Sequence, residues 1–181
     1  DLGLSIYWAD RNVGSSSASN VGYYIPWGDT QSRSDYSQST YIHYKNNAYV
    51  VTGLQPLPAQ YDAASQVWGG DWRMPTMEEW SDLINYCDWR EEGDGFRVYK
   101  KGSTNKSESI YLPTSGYKIT DKGSVTTMSR NYCAYWTSTL STTVQYKGAK
   151  GMAFYGRSIS DYRLAAYDRY QGMPIRPVKN K

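Results

Sequence analysis

Apolar residues recur at helical spacing in only two stretches of the chain. In PAQYDAASQVWGG, residues 58–70, Ala63, Ala64, Val67 and Trp68 stand at i, i+1, i+4 and i+5, and Gly69-Gly70 supplies a stop, which predicts a helix over 59–68. In MPTMEEWSDLINYCDW, residues 74–89, Thr76 and Glu79 have the spacing of a capping box, in which the Thr hydroxyl accepts from the third-position amide while Glu reaches back. Trp80, Leu83, Ile84 and Cys87 then fall at i, i+3, i+4 and i+7, a core-facing stripe of about three turns. The intervening WGGDWRMPTMEEW is therefore a link between two helices. Its tryptophans read as scaffold, with Trp72 and Trp80 expected in the core.

Elsewhere the pattern is strand and turn. GLSIYWA, FRVYK, SIYLPTSGY, AYWTSTL, GMAFYG and GMPIRPV are short, β-branched or aromatic, and bounded by Gly, Asn, Ser or Pro. In GMAFYG, Met152 and Phe154 face one side and Ala153 and Tyr155 the other, so one set is expected to be buried. VGSSSASN and TQSRSDYSQSTY have no periodicity and read as long loops, which in a compact domain are functional or tied down by packing. The pattern predicts an α+β domain of two helices, a small twisted antiparallel sheet and abundant loop.

With 181 residues the chain can bury one substantial core, and a single domain over 1–181 is expected. It contains no apolar run of the roughly 20 residues that span a bilayer. The start at Asp1, without Met or a signal-like apolar region, suggests a processed part or fragment of a longer exported protein. Tyr (19) and Trp (7) far outnumber Phe (2), and since both carry a polar group best placed at the boundary of core and water, much aromatic surface should be half exposed. From Ser141 to Lys181 there are four Lys and four Arg against two Asp, a net of +6, so the whole chain's +3 leaves −3 for residues 1–140. The two cysteines, Cys87 and Cys133, lie far from each other in sequence and belong to no CxxC or Cys/His cluster of the kind that holds zinc. They form either one disulfide or two free core thiols, Cys87 on the apolar helix face and Cys133 ahead of Tyr135 and Trp136.

Several segments carry a family resemblance: DLGLSIYWADRNVG at 1–14, YYIPWGD at 23–29, DAASQVWGGDWRMPTMEEWSDLI at 62–84, IYLPTSGY at 110–117, YWTSTL at 135–140 and GMPIRPV at 172–178. In their order and rough spacing they resemble the Fibrobacter succinogenes major paralogous domain family, over nearly the whole chain. The resemblance implies a C-type-lectin-like fold of the formylglycine-generating-enzyme branch, akin to the variable proteins of diversity-generating retroelements. It further implies paired first and last strands, here LSIYWA with PIRPV, and an extracytoplasmic place in the bacterial cell envelope or on the cell surface.

The chemistry of that superfamily can be tested against the residues. A calcium-dependent sugar site needs oxygen ligands converging on one loop. Neither a Glu-Pro-Asn or Gln-Pro-Asp triplet nor Trp-Asn-Asp occurs, and Thr137-Ser138-Thr139 stands after Trp136, which leaves only acids such as Asp29 or Asp35. The formylglycine-generating oxidases need two close thiols for copper, and their sulfoxide-synthase relatives a His-rich iron site; this chain has two distant cysteines and only His43. That histidine lies in the polar STYIHYK, reads as a surface loop residue, and has no GxSxG elbow to serve. Glu78-Glu79 reads as helix N-terminal charge and Glu91-Glu92 as solvated loop. No enzyme, cofactor or metal is expected.

Recognition by surface remains. After Trp136 the chain interleaves tyrosines with cations, a composition that gives large contact area at low entropic cost together with planar hydrogen bonding. In the variable-protein relatives the corresponding region carries the ligand contacts. By that likeness the expected binding residues are Tyr146, Lys147, Tyr155, Arg157, Asp161, Tyr162, Arg163, Tyr167, Asp168 and Tyr170, in an adhesin-like or lectin-like module for a surface protein or glycan. Arg169 and Arg176 are expected to be structural. Nucleic acid is not the expected partner, because the segment is no dense basic stripe and the pI of 8.7 falls below the usual guide of about 9. An architectural domain of a larger envelope protein, without its own ligand, is the alternative.

Overall fold

The computed structural model describes residues 1–142, 147–154 and 162–181. In chain order the first elements are β1 (Ile6–Trp8), β2 (Tyr44–Lys45), β3 (Ala48–Tyr49), α1 (Ala63–Trp68) and α2 (Met77–Tyr86). They are followed by β4 (Cys87–Glu91), β5 (Gly95–Lys100), β6 (Ser109–Pro113), β7 (Tyr117–Asp121) and β8 (Ser124–Met128). The last are β9 (Cys133–Leu140), β10 (Gly148–Phe154), β11 (Tyr162–Asp168) and β12 (Val178–Asn180). The class is mixed α+β, with few helices and several small antiparallel sheets: β1-β12, β2-β3, β4-β5-β6, β7-β8 and β11-β10-β9.

The two ends of the chain are sewn together. Ile6, Tyr7 and Trp8 lie opposite Asn180, Lys179 and Val178, the pairing of first and last strands that the resemblance implied. Arg176 locks the junction. Its fully buried guanidinium donates to the carbonyls of Ala9 (3.1 Å) and Tyr111 (2.6 Å) and to Asn12 Oδ1 (2.7 Å), so one cation joins three segments distant in sequence. Burial opposes its charge, and these charge-assisted bonds are what offset the lost hydration.

Both helices form where the pattern places them, with one correction. The first is not continuous over 59–68: a single 3₁₀ turn at Ala59–Tyr61 precedes α1, and Asp62 separates them. Asp62 accepts from the amides of Ala64 (2.9 Å) and Ser65 (3.3 Å) as an N-cap and from Met74 N (2.8 Å). Competition from that capping carboxylate breaks the run. The capping box of α2 is present, with Glu79 N donating to Thr76 Oγ1 and Thr76 N to Glu79 Oε2, and Glu79 also holds Arg73 through a two-pronged ion pair. Trp80 and Leu83 are fully buried, whereas Cys87 opens β4 rather than closing the helix.

Of the link's three tryptophans only Trp80 is core. Trp68 and Trp72 are half-buried, meet edge to face at 5.1 Å, and carry Arg11 and Lys179 over their rings. Indole faces shared between neighbours and cations satisfy these residues at the surface, which spacing along the chain does not reveal.

The β9–β11 sheet lies between two apolar cores. Cys133, Tyr135, Met152 and Phe154 join Trp8, Trp80, Leu83 and Val98 on one side. Ala134, Trp136, Leu140, Ala149 and Ala153 join Ile25, Trp27, Met74 and Ile175 on the other. The expectation that only one face of GMAFYG is buried is thus corrected: Met152, Ala153 and Phe154 are all buried, because β10 is the middle strand of a sheet covered on both faces. Both cysteines are buried free thiols, with Cys133 Sγ 3.6 Å from the Leu112 carbonyl. GMPIRPV is not a strand throughout. Met173 makes a single bridge to Ile25, and regular pairing starts at Val178.

Among the described residues no helix is long and apolar enough to cross a membrane.

Candidate functional site

The sheet delivers β11 as its outer strand. β10 and β11 pair without a register shift from Gly148–Asp168 to Phe154–Tyr162, a seven-residue ladder that spans about 20 Å. Of the expected binding residues, Tyr146, Tyr155, Arg157 and Asp161 lie outside the described residues. The other six fall into two groups, one at each end of β11.

At the start of the strand Tyr162 is 38% exposed and Arg163 is exposed beside it. At its end Asp168 is gripped from two sides, by Lys147 Nζ at 3.3 Å and by the Tyr170 hydroxyl, which donates at 2.7 Å. Burial raises the Tyr170 phenol, and the neighbouring Asp168 carboxylate raises it further, so the hydroxyl remains a donor. Tyr167 has a different setting: it is half-buried, 6.1 Å from the ring of Tyr117 and 6.4 Å from that of Trp136. Gly151 makes room for it, since a β-carbon there would stand 2.9 Å from Tyr167 Cδ2.

Behind the strand's end sits a cluster that sequence spacing did not reveal. Arg169 is fully buried, with Trp27, Tyr41 and Tyr49 ring centres at 5.7, 5.5 and 4.9 Å from its guanidinium carbon, and Nη1 donates to the Val50 carbonyl at 2.9 Å. Its expected structural role holds. The aromatic faces compensate a cation that burial disfavours. The Tyr49 hydroxyl is pushed up to about 12, first by burial and then by Asp168. Residues more than one hundred positions apart meet here, so no local periodicity could have signalled it; the excess of Tyr was the available sign.

The remaining candidates are settled by their partners. His43 is not a surface loop residue: it is buried, Nε2 lies 2.8 Å from the Gly28 carbonyl, and its ring packs edgewise on Tyr41 and Tyr61. Asp29 is buried with both oxygens engaged by Arg33, which leaves it poorly placed to ligate calcium. Glu91 is the exposed last residue of β4 and Glu92 lies in the solvated loop that follows, as expected, but Glu92 is held by Arg97 and Lys106 and lowered to about 2, chiefly by the Arg97 hydrogen bond. Burial raises the thiols of Cys87 and Cys133 to about 11 and about 12, the opposite of what a nucleophile requires. Among the described residues no group of three or more His, Cys, Asp or Glu is placed to hold a metal ion.

Clefts lie elsewhere, two of which are lined by residues weighed above. One of about 430 Å³ is bordered by Leu57, Ser65, Asp71, Trp72 and Ser138, and one of about 340 Å³ by Glu91, Asp94, Phe96, Thr114 and Asn131. Comparison of the chain with protein-family models, curated proteins and solved structures finds no match.

Proposed function

We propose that the protein is a non-catalytic recognition module with a C-type-lectin-like fold, exported to the bacterial cell envelope or surface, which binds a surface protein or glycan through the Tyr- and Arg-rich region after Trp136. The observation that carries this reading is the setting of β11. Its inner neighbours are locked between two cores, while Tyr162 and Arg163 stand exposed at one end and Lys147, Asp168 and Tyr170 form a polar group at the other. A rigid scaffold presenting aromatic and cationic side chains loses little entropy on binding. Of the groups weighed for chemistry, His43, Cys87 and Cys133 are buried and Asp29 and Glu92 are held by arginines, which favours recognition over catalysis. The termini paired through β1 and β12 agree with the resemblance to the Fibrobacter succinogenes major paralogous domain family. A glycan and surface-protein array probed with the whole chain, with and without a calcium chelator, tests the reading. A specific hit that survives chelation is the expected result, and absence of any hit would favour a purely architectural domain.

A further inference from the structure

The hydrogen-bond parity of the main sheet determines what β11 offers outward. The Gly148 carbonyl accepts from Ser141 N (3.1 Å) and the Lys150 carbonyl from Thr137 Oγ1 (2.8 Å), so the even-numbered residues of β10 turn their main-chain groups toward β9. Their partners across the hairpin are Asp168 and Ala166, and Met152 and Phe154 continue the series with Leu164 and Tyr162. In an antiparallel pair such residues form the non-hydrogen-bonded positions. The N–H and C=O groups of Tyr162, Leu164 and Ala166 therefore point away from β10. No strand pairs with that side among the described residues.

Natural edge strands are commonly blunted by charge, Pro or a bulge. From Leu164 to Tyr167 this one has none of these, and Ala165 and Ala166 are small enough for another backbone to approach at strand spacing, about 4.8 Å. In sequence, Lys147 to Asp168 carries four positive residues, Lys147, Lys150, Arg157 and Arg163, against two negative, Asp161 and Asp168, a net of +2. A second copy would bring the same excess to the edge, which disfavours self-pairing; an acidic segment would be attracted.

We propose that the β11 edge takes an extended, acidic polypeptide segment of a partner protein as an added strand, paired to the main-chain groups of Tyr162, Leu164 and Ala166. This rests on the recognition reading above and names its ligand class: main-chain pairing supplies affinity, while apolar residues beside Leu164 and acidic residues near the cations supply selectivity.

The chemistry gives a test with little structural cost. Ala166→Pro removes an N–H that faces outward, a position where an edge strand tolerates proline, whereas Ala165→Pro removes one that β10 uses. A phage-displayed library of random ten-residue peptides is selected on the whole chain, and enriched sequences are synthesised with a fluorophore. The expected peptides alternate apolar and acidic residues. They bind Ala166→Pro at least about tenfold more weakly than wild type at unchanged Tm, as loss of a main-chain bond and its space would give, while Ala165→Pro lowers Tm. N-methylation of alternate peptide amides should abolish binding to the wild-type chain for one parity only, a readout that does not depend on any variant folding. Equal binding by both parities, undiminished binding by Ala166→Pro, or no enriched peptide overturns strand addition. If Tyr162→Ala/Arg163→Ala loses a glycan or folded-protein ligand that Ala166→Pro keeps, strand addition fails while the recognition reading stands.

Discussion

The ring of Tyr167 lies over Gly151, so close that a β-carbon on the glycine would stand 2.9 Å from Cδ2. The contact lets an aromatic side chain of the outer strand cross the middle strand and reach Trp136. It ties the candidate binding strand to one of the two cores.

Gly151→Ala should therefore displace that ring. Overpacking of this kind costs about 1–3 kcal/mol, read as a lowered Tm with reduced near-ultraviolet dichroism from the Tyr167–Trp136 contact. An unchanged Tm would mean that the ring turns aside freely.

Trp80→Ala removes a fully buried indole that meets Trp8 at 4.7 Å and Tyr135 at 5.4 Å. A loss of about 3–5 kcal/mol is expected in denaturant melts. Trp72→Ala, at a half-buried ring under Lys179, should cost only about 1 kcal/mol. Equal losses would show that the two are not divided between core and surface.

Arg176→Ala strips the carbonyls of Ala9 and Tyr111 and the Asn12 side chain of their shared donor. Buried groups left unpaired make this expensive, at about 3 kcal/mol or more. Hydrogen exchange should accelerate first in β1 and β12, which the guanidinium holds together.

His43 should give the stability a pH dependence. Burial, the largest influence, together with Arg169 and Lys45, lowers its folded pKa, against smaller raising contributions from the Gly28 carbonyl and Asp29. The unfolded chain therefore binds the proton more readily. Stability from a neutral His43 is fully present above its ordinary value of about 6.5 and is lost as pH falls through the window below it. His43→Gln should flatten the Tm–pH curve in that window; an unaltered slope would contradict the assignment.

Local structure was legible where the physics is local. Thr76 and Glu79 announce the start of α2, and the 3.6-residue recurrence of Trp80 and Leu83 its buried face. Asp62 breaks the first helix because it is more useful as a cap for α1 and an acceptor for Met74 than inside a turn. The long polar loops were harder to read. His43 and Tyr49 join Arg169 and Trp27 through contacts between distant segments, and polar sequence around a histidine says nothing about what will later cover it. The same holds for Ala153, whose burial depends on β10 being central. As for the candidate binding face, Tyr162 and Arg163 stand at the start of β11 and Lys147, Asp168 and Tyr170 meet at its end, whereas Tyr167 leans on the core; composition could not separate these roles, because a tyrosine serves either.

The most direct test of the recognition face compares two variants on one array of glycans and surface proteins. Tyr162→Ala/Arg163→Ala alters the exposed start of β11, and Trp72→Ala alters the cleft beside Ser65 and Asp71, which no residue of β11 lines. With both retaining their fold by Tm and far-ultraviolet dichroism, the first should lose the wild-type ligand and the second keep it. Retention by the first and loss by the second would contradict the account and move the binding face to the Trp72 cleft.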